Sequence, residues 1–143
     1  MTSMSRRVVF AHGFTQTGRS WDRLTASLTR TIPDLDVIAP DLPGHGDAAE
    51  LRGDLWQSAD ALASVGGTAS YVGYSMGGRM LLHEALNDSV GEIRSLILIG
   101  ATAGIESATE RAERRAADAQ RAARILELGT PAFVTEWLQQ PMF

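Results

Sequence analysis

The sequence contains no cysteine, no lysine and no long apolar run. Without cysteine, neither a disulfide framework nor a thiolate metal site can form. No stretch approaches the roughly 20 apolar residues of a membrane-spanning helix, and the apolar segment before His12 is too short for the core of a signal peptide. We therefore expect a cytoplasmic protein that does not associate with membranes.

The 13 basic residues are all arginine, and 17 acidic residues bring the net charge to -4. This balance gives no electrostatic reason to expect a nucleic-acid partner. Codon bias is one explanation for the absence of lysine, and a need for planar groups that bind carboxylates through paired hydrogen bonds is the other. Because the sequence has neither a glycine-rich phosphate loop nor a cluster of metal ligands, we expect no cofactor and no metal.

Short apolar runs alternate with helical patterns along the first two thirds of the chain. The runs do not alternate with polar residues, as is typical of strands buried on both faces of a parallel sheet. They cover residues 8–11, 37–39, 71–74 and 96–99. We therefore predict a doubly wound α/β sheet, with helices on both faces, over residues 1–104. Two successive helical patterns without a strand predict the start of a helical cap over residues 105–143.

A serine lies between two glycines where the third run meets a helical pattern. The segment Gly73-Tyr74-Ser75-Met76-Gly77 fits Gly-x-Ser-x-Gly, the nucleophile elbow. Bulky neighbours would collide at so tight a turn, and glycines remove the collision. The pattern predicts Ser75 as the catalytic nucleophile, with the Met76 N–H as one donor of an oxyanion hole.

Two further motifs follow the first and second runs. His12-Gly13-Phe14 supplies the second expected oxyanion donor, the Phe14 N–H, and we expect His12 to order this loop by hydrogen bonding. The segment Asp41 to Gly46 predicts a tight turn whose polar side chains tie loops together. His45, in that turn, and His83, in the helix after Ser75, are interpreted as structural rather than catalytic.

The motifs HGF, DLPGHG and GYSMGGR, in this order, resemble those of the α/β-hydrolase superfamily. The segments ERAERR and FVTEWLQQPMF are similar to those of one family within it. That family makes 2-succinyl-6-hydroxy-2,4-cyclohexadiene-1-carboxylate in menaquinone biosynthesis by eliminating pyruvate from an enolpyruvyl precursor. The resemblance extends over essentially the whole chain.

The resemblance also implies roles for four substrate-binding residues. Arg79 is four residues after Ser75, so both lie on one face of the helix, and its guanidinium suits a polycarboxylate substrate, with a surface salt bridge as the alternative. Arg114 matches a substrate-binding arginine of the family, although an ion pair with Glu110 would explain it equally well. Trp137 matches an aromatic residue of the cap, with core packing as the alternative, and Tyr74 is expected to line the pocket.

The acid and the base that a nucleophilic serine needs are missing from the sequence after Ser75. In this superfamily an aspartate or glutamate and then a histidine follow later strands. Asp88, Glu106 and Asp118 lie instead in helical or cap contexts, and His83 is in the wrong place. We therefore expect the chain to be the N-terminal part of a longer enzyme, poorly active by itself, with an apolar edge at its fourth strand.

Three functions remain open, and the oligomeric state is undetermined. The first is a lyase that uses Ser75 as a base, the two N–H donors for the oxyanion, and Arg79 with Arg114 for substrate carboxylates. The second is a carboxylesterase or carbon–carbon bond hydrolase in which Ser75 forms an acyl-enzyme. The third is a non-catalytic module that binds an anion.

Overall fold

The computed structural model describes residues 6–87 and 93–142. Asp88 and Phe143, both considered above, lie outside the described residues. Contacts between residues divide the chain into two compact units, residues 1–103 and 104–143. Each unit is described by itself.

The first unit contains a parallel sheet of four strands, as the apolar runs predict. The strands are β1 (Arg6–Ala11), β2 (Leu35–Ile38), β3 (Ala69–Tyr74) and β4 (Ile93–Ile99). Their order across the sheet is β2-β1-β3-β4, and all three pairings are parallel. Polar residues such as Arg6 and Asp36 belong to strands, so every strand begins earlier than its apolar run.

The helices of this unit follow from the strand order. They are α1 (Asp22–Thr31), α2 (Leu55–Gly66) and α3 (Met76–Ala85). The chain moves from β1 to β2 in one direction and from β2 to β3 in the other. Because such crossovers are right-handed, α1 lies on one face of the sheet and α2 and α3 lie on the opposite face. This arrangement confirms the predicted α/β fold.

Helix boundaries follow local signals. Asp54 and Gln57 form a capping box, in which the Gln57 N–H donates to Asp54 Oδ1 at 2.9 Å and the Asp54 N–H donates to Gln57 Oε1 at 3.0 Å. Reciprocal capping of this kind satisfies two N–H groups that the helix leaves free. The third helix ends at Ala85, where the Leu86 N–H donates to the carbonyl of His83 at 3.1 Å.

The core of the first unit lies between the sheet and the two helices α2 and α3. Its fully buried side chains include Tyr71, Val9 and Leu81. The outer strand is different: β4 forms one edge of the described sheet, and Ile97 and Ile99 are 53% and 44% exposed. The expected apolar edge is therefore present in the described part of the chain.

The second unit consists of two helices, α4 (Ala108–Leu128) and α5 (Thr130–Trp137). Ser107 caps α4 by accepting a hydrogen bond from the Glu110 N–H at 3.3 Å. Helix α4 buries none of its residues, whereas α5 buries Phe133. Over the described residues of both units, no helix has the length and apolar content that crossing a membrane requires.

Candidate active site

Ser75 occupies the turn between β3 and α3, at the carboxyl edge of the sheet. Its φ of 51° and ψ of -109° lie outside the regions that non-glycine residues prefer. The Ser75 N–H donates to the Ile99 carbonyl at 2.9 Å, and its own carbonyl accepts from the Arg79 N–H at 3.1 Å. Such a conformation costs on the order of 1–3 kcal/mol and persists only where its surroundings impose it.

Glycines on either side of Ser75 allow the surrounding backbone to approach closely. A Cβ on Gly77 would lie 2.5 Å from the Ala11 carbonyl oxygen, and one on Gly73 would lie 2.5 Å from Gly78 Cα. Both contacts involve backbone atoms that cannot rotate away. Glycine is therefore needed at both positions to seat α3 directly on β1 and β3.

Two backbone segments meet beside the serine. The Gly77 N–H donates to the His12 carbonyl at 3.1 Å, which joins the first turn of α3 to the loop after β1. Among the described residues, no group accepts a hydrogen bond from the Met76 N–H. Phe14 lies in the joined loop, two residues after His12. The loop that carries the second predicted oxyanion donor is thus adjacent to the helix that carries the first.

The Tyr74 ring packs between two of the loops that follow strands. A Cβ on Gly13 would lie 2.8 Å from Tyr74 Cδ1, so Gly13 leaves room for the ring. On the other side, a Cβ on Gly100 would lie 3.5 Å from Tyr74 Cε2. Tyr74 therefore fixes the spacing of these loops, in addition to its predicted place in the pocket lining.

His12 has the loop-ordering geometry that the sequence indicates. It is fully buried, its Nδ1 lies 2.9 Å from the Gly13 carbonyl, and its Nε2 accepts from the Leu42 N–H at 2.9 Å. This pattern requires the neutral tautomer with the proton on Nδ1. Burial lowers the pKa of His12 and favours the same neutral form. With both nitrogens engaged, this imidazole is not available as a base.

The turn from Asp41 to Gly46 ties loops together through a carboxylate. Asp41 accepts from the Gly18 N–H and from the Asp47 N–H, both at 2.7 Å. These two hydrogen bonds hold the pKa of Asp41 below its ordinary value. The ring of His45 packs edge-on against that of His12, with 5.1 Å between centroids.

Arg79 and His83 lie one and two turns beyond Ser75 on α3. The Arg79 side chain is exposed and forms no ion pair with any residue the structure describes. His83 Nδ1 lies 2.8 Å from the Arg79 carbonyl, and its ring packs against Trp56. Within the described ranges, no side chain hydrogen-bonds Ser75 Oγ. The described part of the first unit thus contains the predicted nucleophile, Ser75, and a guanidinium without an ion pair, but no base in contact with the serine.

The two remaining candidate residues belong to the second unit. Arg114 Nε donates to Asp118 Oδ2 at 2.9 Å, so the ion pair that the sequence suggested with Glu110 is formed with Asp118 instead. Trp137 stacks on Phe133 with 6.1 Å between ring centroids, and the guanidinium carbon of Arg121 lies 5.5 Å from its ring centroid. Both residues thus have structural contacts inside their own unit.

The fold and this turn define a class of protein. The sequence model of the alpha/beta hydrolase family matches residues 8–143, and the chain belongs to that family. Solved structures agree: MenH from S. aureus superposes with a TM-score of 0.75 at 29% identity, over 99% of this chain and 55% of that one. An esterase from Thermogutta terrifontis gives a TM-score of 0.72 at 26% identity, over 94% of this chain and 49% of that one.

Curated relatives are more specific in their names. The 2-succinyl-6-hydroxy-2,4-cyclohexadiene-1-carboxylate synthase of Citrobacter koseri is 34% identical over 95% of this chain and 54% of its own length. A putative synthase of the same name from Haemophilus influenzae is 32% identical over 95% of this chain and 57% of its own length. The similarity inferred from the sequence motifs is confirmed. The chain spans a little over half the length of these relatives.

Proposed function

We propose that this chain carries the reactive serine, the oxyanion donors and a carboxylate-binding group of a lyase. In this proposal the substrate is an enolpyruvyl cyclohexene carboxylate. The reaction is a step of menaquinone biosynthesis and takes place in the cytoplasm. The observation that supports it best is the strained Ser75 turn at the head of α3 with an uncommitted arginine one turn away. Similarity to the C. koseri synthase supports the choice of reaction.

In this proposal Ser75 acts as a base. Its oxygen takes a proton from a substrate carbon, and the electron pair released forms a C=C bond in the ring while the C–O bond to the enolpyruvyl group breaks. That group leaves as the enolate of pyruvate and becomes pyruvate when its methylene carbon takes up a proton. The Met76 N–H and Phe14 N–H groups stabilise the oxyanion that develops, as preorganised donors do in a site shielded from water. No metal or organic cofactor takes part.

The exposed guanidinium of Arg79 supports an anionic substrate rather than a neutral ester. A carboxylate can accept two parallel hydrogen bonds from one guanidinium, and such charge-assisted pairs are about twice as strong as neutral ones. Arg114 and Trp137 are proposed as further substrate contacts, on the similarity of their segments to the family. The lyase also needs an acid and a histidine base to activate Ser75.

The test measures pyruvate release from the enolpyruvyl precursor by two proteins. One is the 143-residue chain, and the other is a chimera in which Phe143 is followed by the part of the C. koseri relative beyond its match. We expect turnover from the chimera and little from the chain alone.

Replacing Ser75→Ala in the chimera should lower kcat by roughly 10⁴-fold or more. Arg79→Ala should raise KM, whereas Arg23→Ala, at an exposed arginine of α1, should not.

Two results would support other functions. Burst hydrolysis of an aryl ester by a chimera that releases no pyruvate would favour the carboxylesterase or carbon–carbon bond hydrolase. Saturable binding of a succinylbenzoate-like acid, without turnover and without fluorophosphonate labelling of Ser75, would favour the anion-binding module.

A further inference from the structure

The loop from Gly13 to Gln16 contains a second strained backbone position. Thr15 has a φ of 64°, in the left-handed region that glycine favours. For a β-branched residue this conformation is a clear outlier, so neighbouring contacts have to maintain it. Ser75 and Thr15 are the only non-glycine residues with positive φ in the described part of the chain.

Gln16 contacts both sides of Gly13 in this loop. Its side-chain Oε1 accepts from the Gly13 N–H at 2.9 Å, and its backbone N–H donates to the Gly13 carbonyl at 3.2 Å. The buried His12 ring adds a second contact to the same carbonyl, from Nδ1 at 2.9 Å. The Gly13 backbone is therefore bound at its donor and at its acceptor.

This arrangement has a consequence for Phe14. The Gly13 carbonyl and the Phe14 N–H belong to one planar trans peptide, so they point in opposite directions. Two donors that fix the carbonyl therefore also fix the direction of the Phe14 N–H. The strained φ at Thr15 is what brings the Gln16 N–H and its side chain back onto Gly13.

We propose that Gln16 is a positioning residue, which holds the strained Thr15 turn and so aims the Phe14 N–H at the oxyanion. This inference rests on the proposed function, because it requires the Phe14 N–H to be an oxyanion donor. It goes beyond that function in assigning a role to a residue outside the motifs. Gln16 itself touches no reacting atom in this proposal.

The experiment uses the 143-residue chain and 4-carboxyphenylboronic acid, whose boron becomes tetrahedral when a serine oxygen adds to it. Terephthalic acid is the matched ligand without boron, since it has similar size and charge. Affinities are measured by calorimetry, and boron-11 NMR reports the tetrahedral adduct. The variant Gln16→Met keeps the length of the side chain and removes the acceptor. Thr17→Val is the control, since the Thr17 hydroxyl has no partner among the described residues.

We expect Gln16→Met to weaken boronate binding about tenfold, a fraction of the effect of deleting an oxyanion donor. Terephthalate binding should not change, and Thr17→Val should leave both affinities unaltered. Thr15→Gly combined with Gln16→Met should restore boronate binding, because glycine adopts positive φ without help from its neighbours. If Gln16→Met does not fold, the boronate affinity of the double variant tests the inference in its place.

Unchanged boronate affinity in Gln16→Met would overturn the inference, as would a double variant that fails to recover it. The proposed function fails separately: if Ser75→Ala binds boronate as tightly as the parent chain, Ser75 Oγ is not the reactive oxygen of the site. If Ser75→Ala abolishes the adduct and Gln16→Met has no effect, only the role of Gln16 is wrong.

Discussion

The candidate site residues of the two units are held in place by different kinds of interaction. In the first, Ser75 is held by buried backbone, with glycines that admit no additional atom and hydrogen bonds to neighbouring segments. In the second, Arg114 lies on a helix without buried residues, and its ion pair with Asp118 is about half exposed to solvent. Close packing tolerates little change, whereas exposed ion pairs contribute little and weaken with salt. The first unit should therefore be far more sensitive to substitution than the second.

The largest effect is expected from Gly77→Ala. The new Cβ would lie 2.5 Å from the Ala11 carbonyl oxygen and 2.6 Å from that of His12, so α3 would have to move off the sheet. We expect a loss of about 3 kcal/mol or more in the free energy of unfolding, the upper end for an overpacked site. Urea denaturation measures it. Gly53→Ala is the control, because there the nearest atom is Gln57 Cβ at 3.1 Å. Equal stabilities for the two variants would contradict the close-packing account.

A smaller effect, dependent on pH, is expected at Glu84. This residue of α3 is only 2% exposed, and neither carboxylate oxygen has a hydrogen-bond partner among the described residues. Burial raises the pKa of Glu84, and the nearby carboxylate of Asp60 raises it further. The folded state therefore keeps a proton that the unfolded state releases, so stability is highest below the unfolded pKa of about 4.3 and falls as pH rises through the folded pKa.

The variant Glu84→Gln separates the pH dependence caused by Glu84 from that caused by other titrating groups. Its amide does not titrate, so the loss of stability on raising the pH above about 4.3 should become smaller than in the parent chain. Melting temperatures measured over a series of pH values from about 4.3 upward give the comparison. Glu113→Gln is the matched control, because Glu113 is exposed on α4 and forms no ion pair with any described residue. A pH profile of Glu84→Gln identical to that of the parent would show that Glu84 is ionised in the fold.

The smallest effect is expected in the second unit, from Arg124→Ala. Arg124 forms an ion pair with Glu127 at 2.8 Å within α4, and one with Glu136 at 2.7 Å that links α4 to α5. Both pairs are exposed, so their loss should change the thermal transition only slightly, and less in high salt than in low salt. Circular dichroism at two salt concentrations tests this. If Arg124→Ala destabilised the chain as much as Gly77→Ala, ion pairs rather than packing would determine the stability of the second unit.

The amino-acid sequence by itself determined the α/β class and the location of the strained turn at Ser75. Apolar runs of the kind that fill a parallel sheet, and glycines at fixed offsets from Ser75, are local signals that need no knowledge of distant residues. The same holds for the cap of α2 at Asp54, where both partners lie within one turn. The α/β-hydrolase resemblance followed from equally local motifs.

Only the tertiary structure decided the contacts between segments distant in the chain. The Gly77 N–H bonded to the His12 carbonyl, the Tyr74 ring seated between Gly13 and Gly100, and the buried Glu84 all depend on how strands and helices come together. The contact of Gln16 with Gly13 is local in sequence, yet it depends on a backbone angle at Thr15 that the residue type disfavours. Periodicity and motifs report which face of an element is buried, whereas they carry no information on which distant atom lies against it.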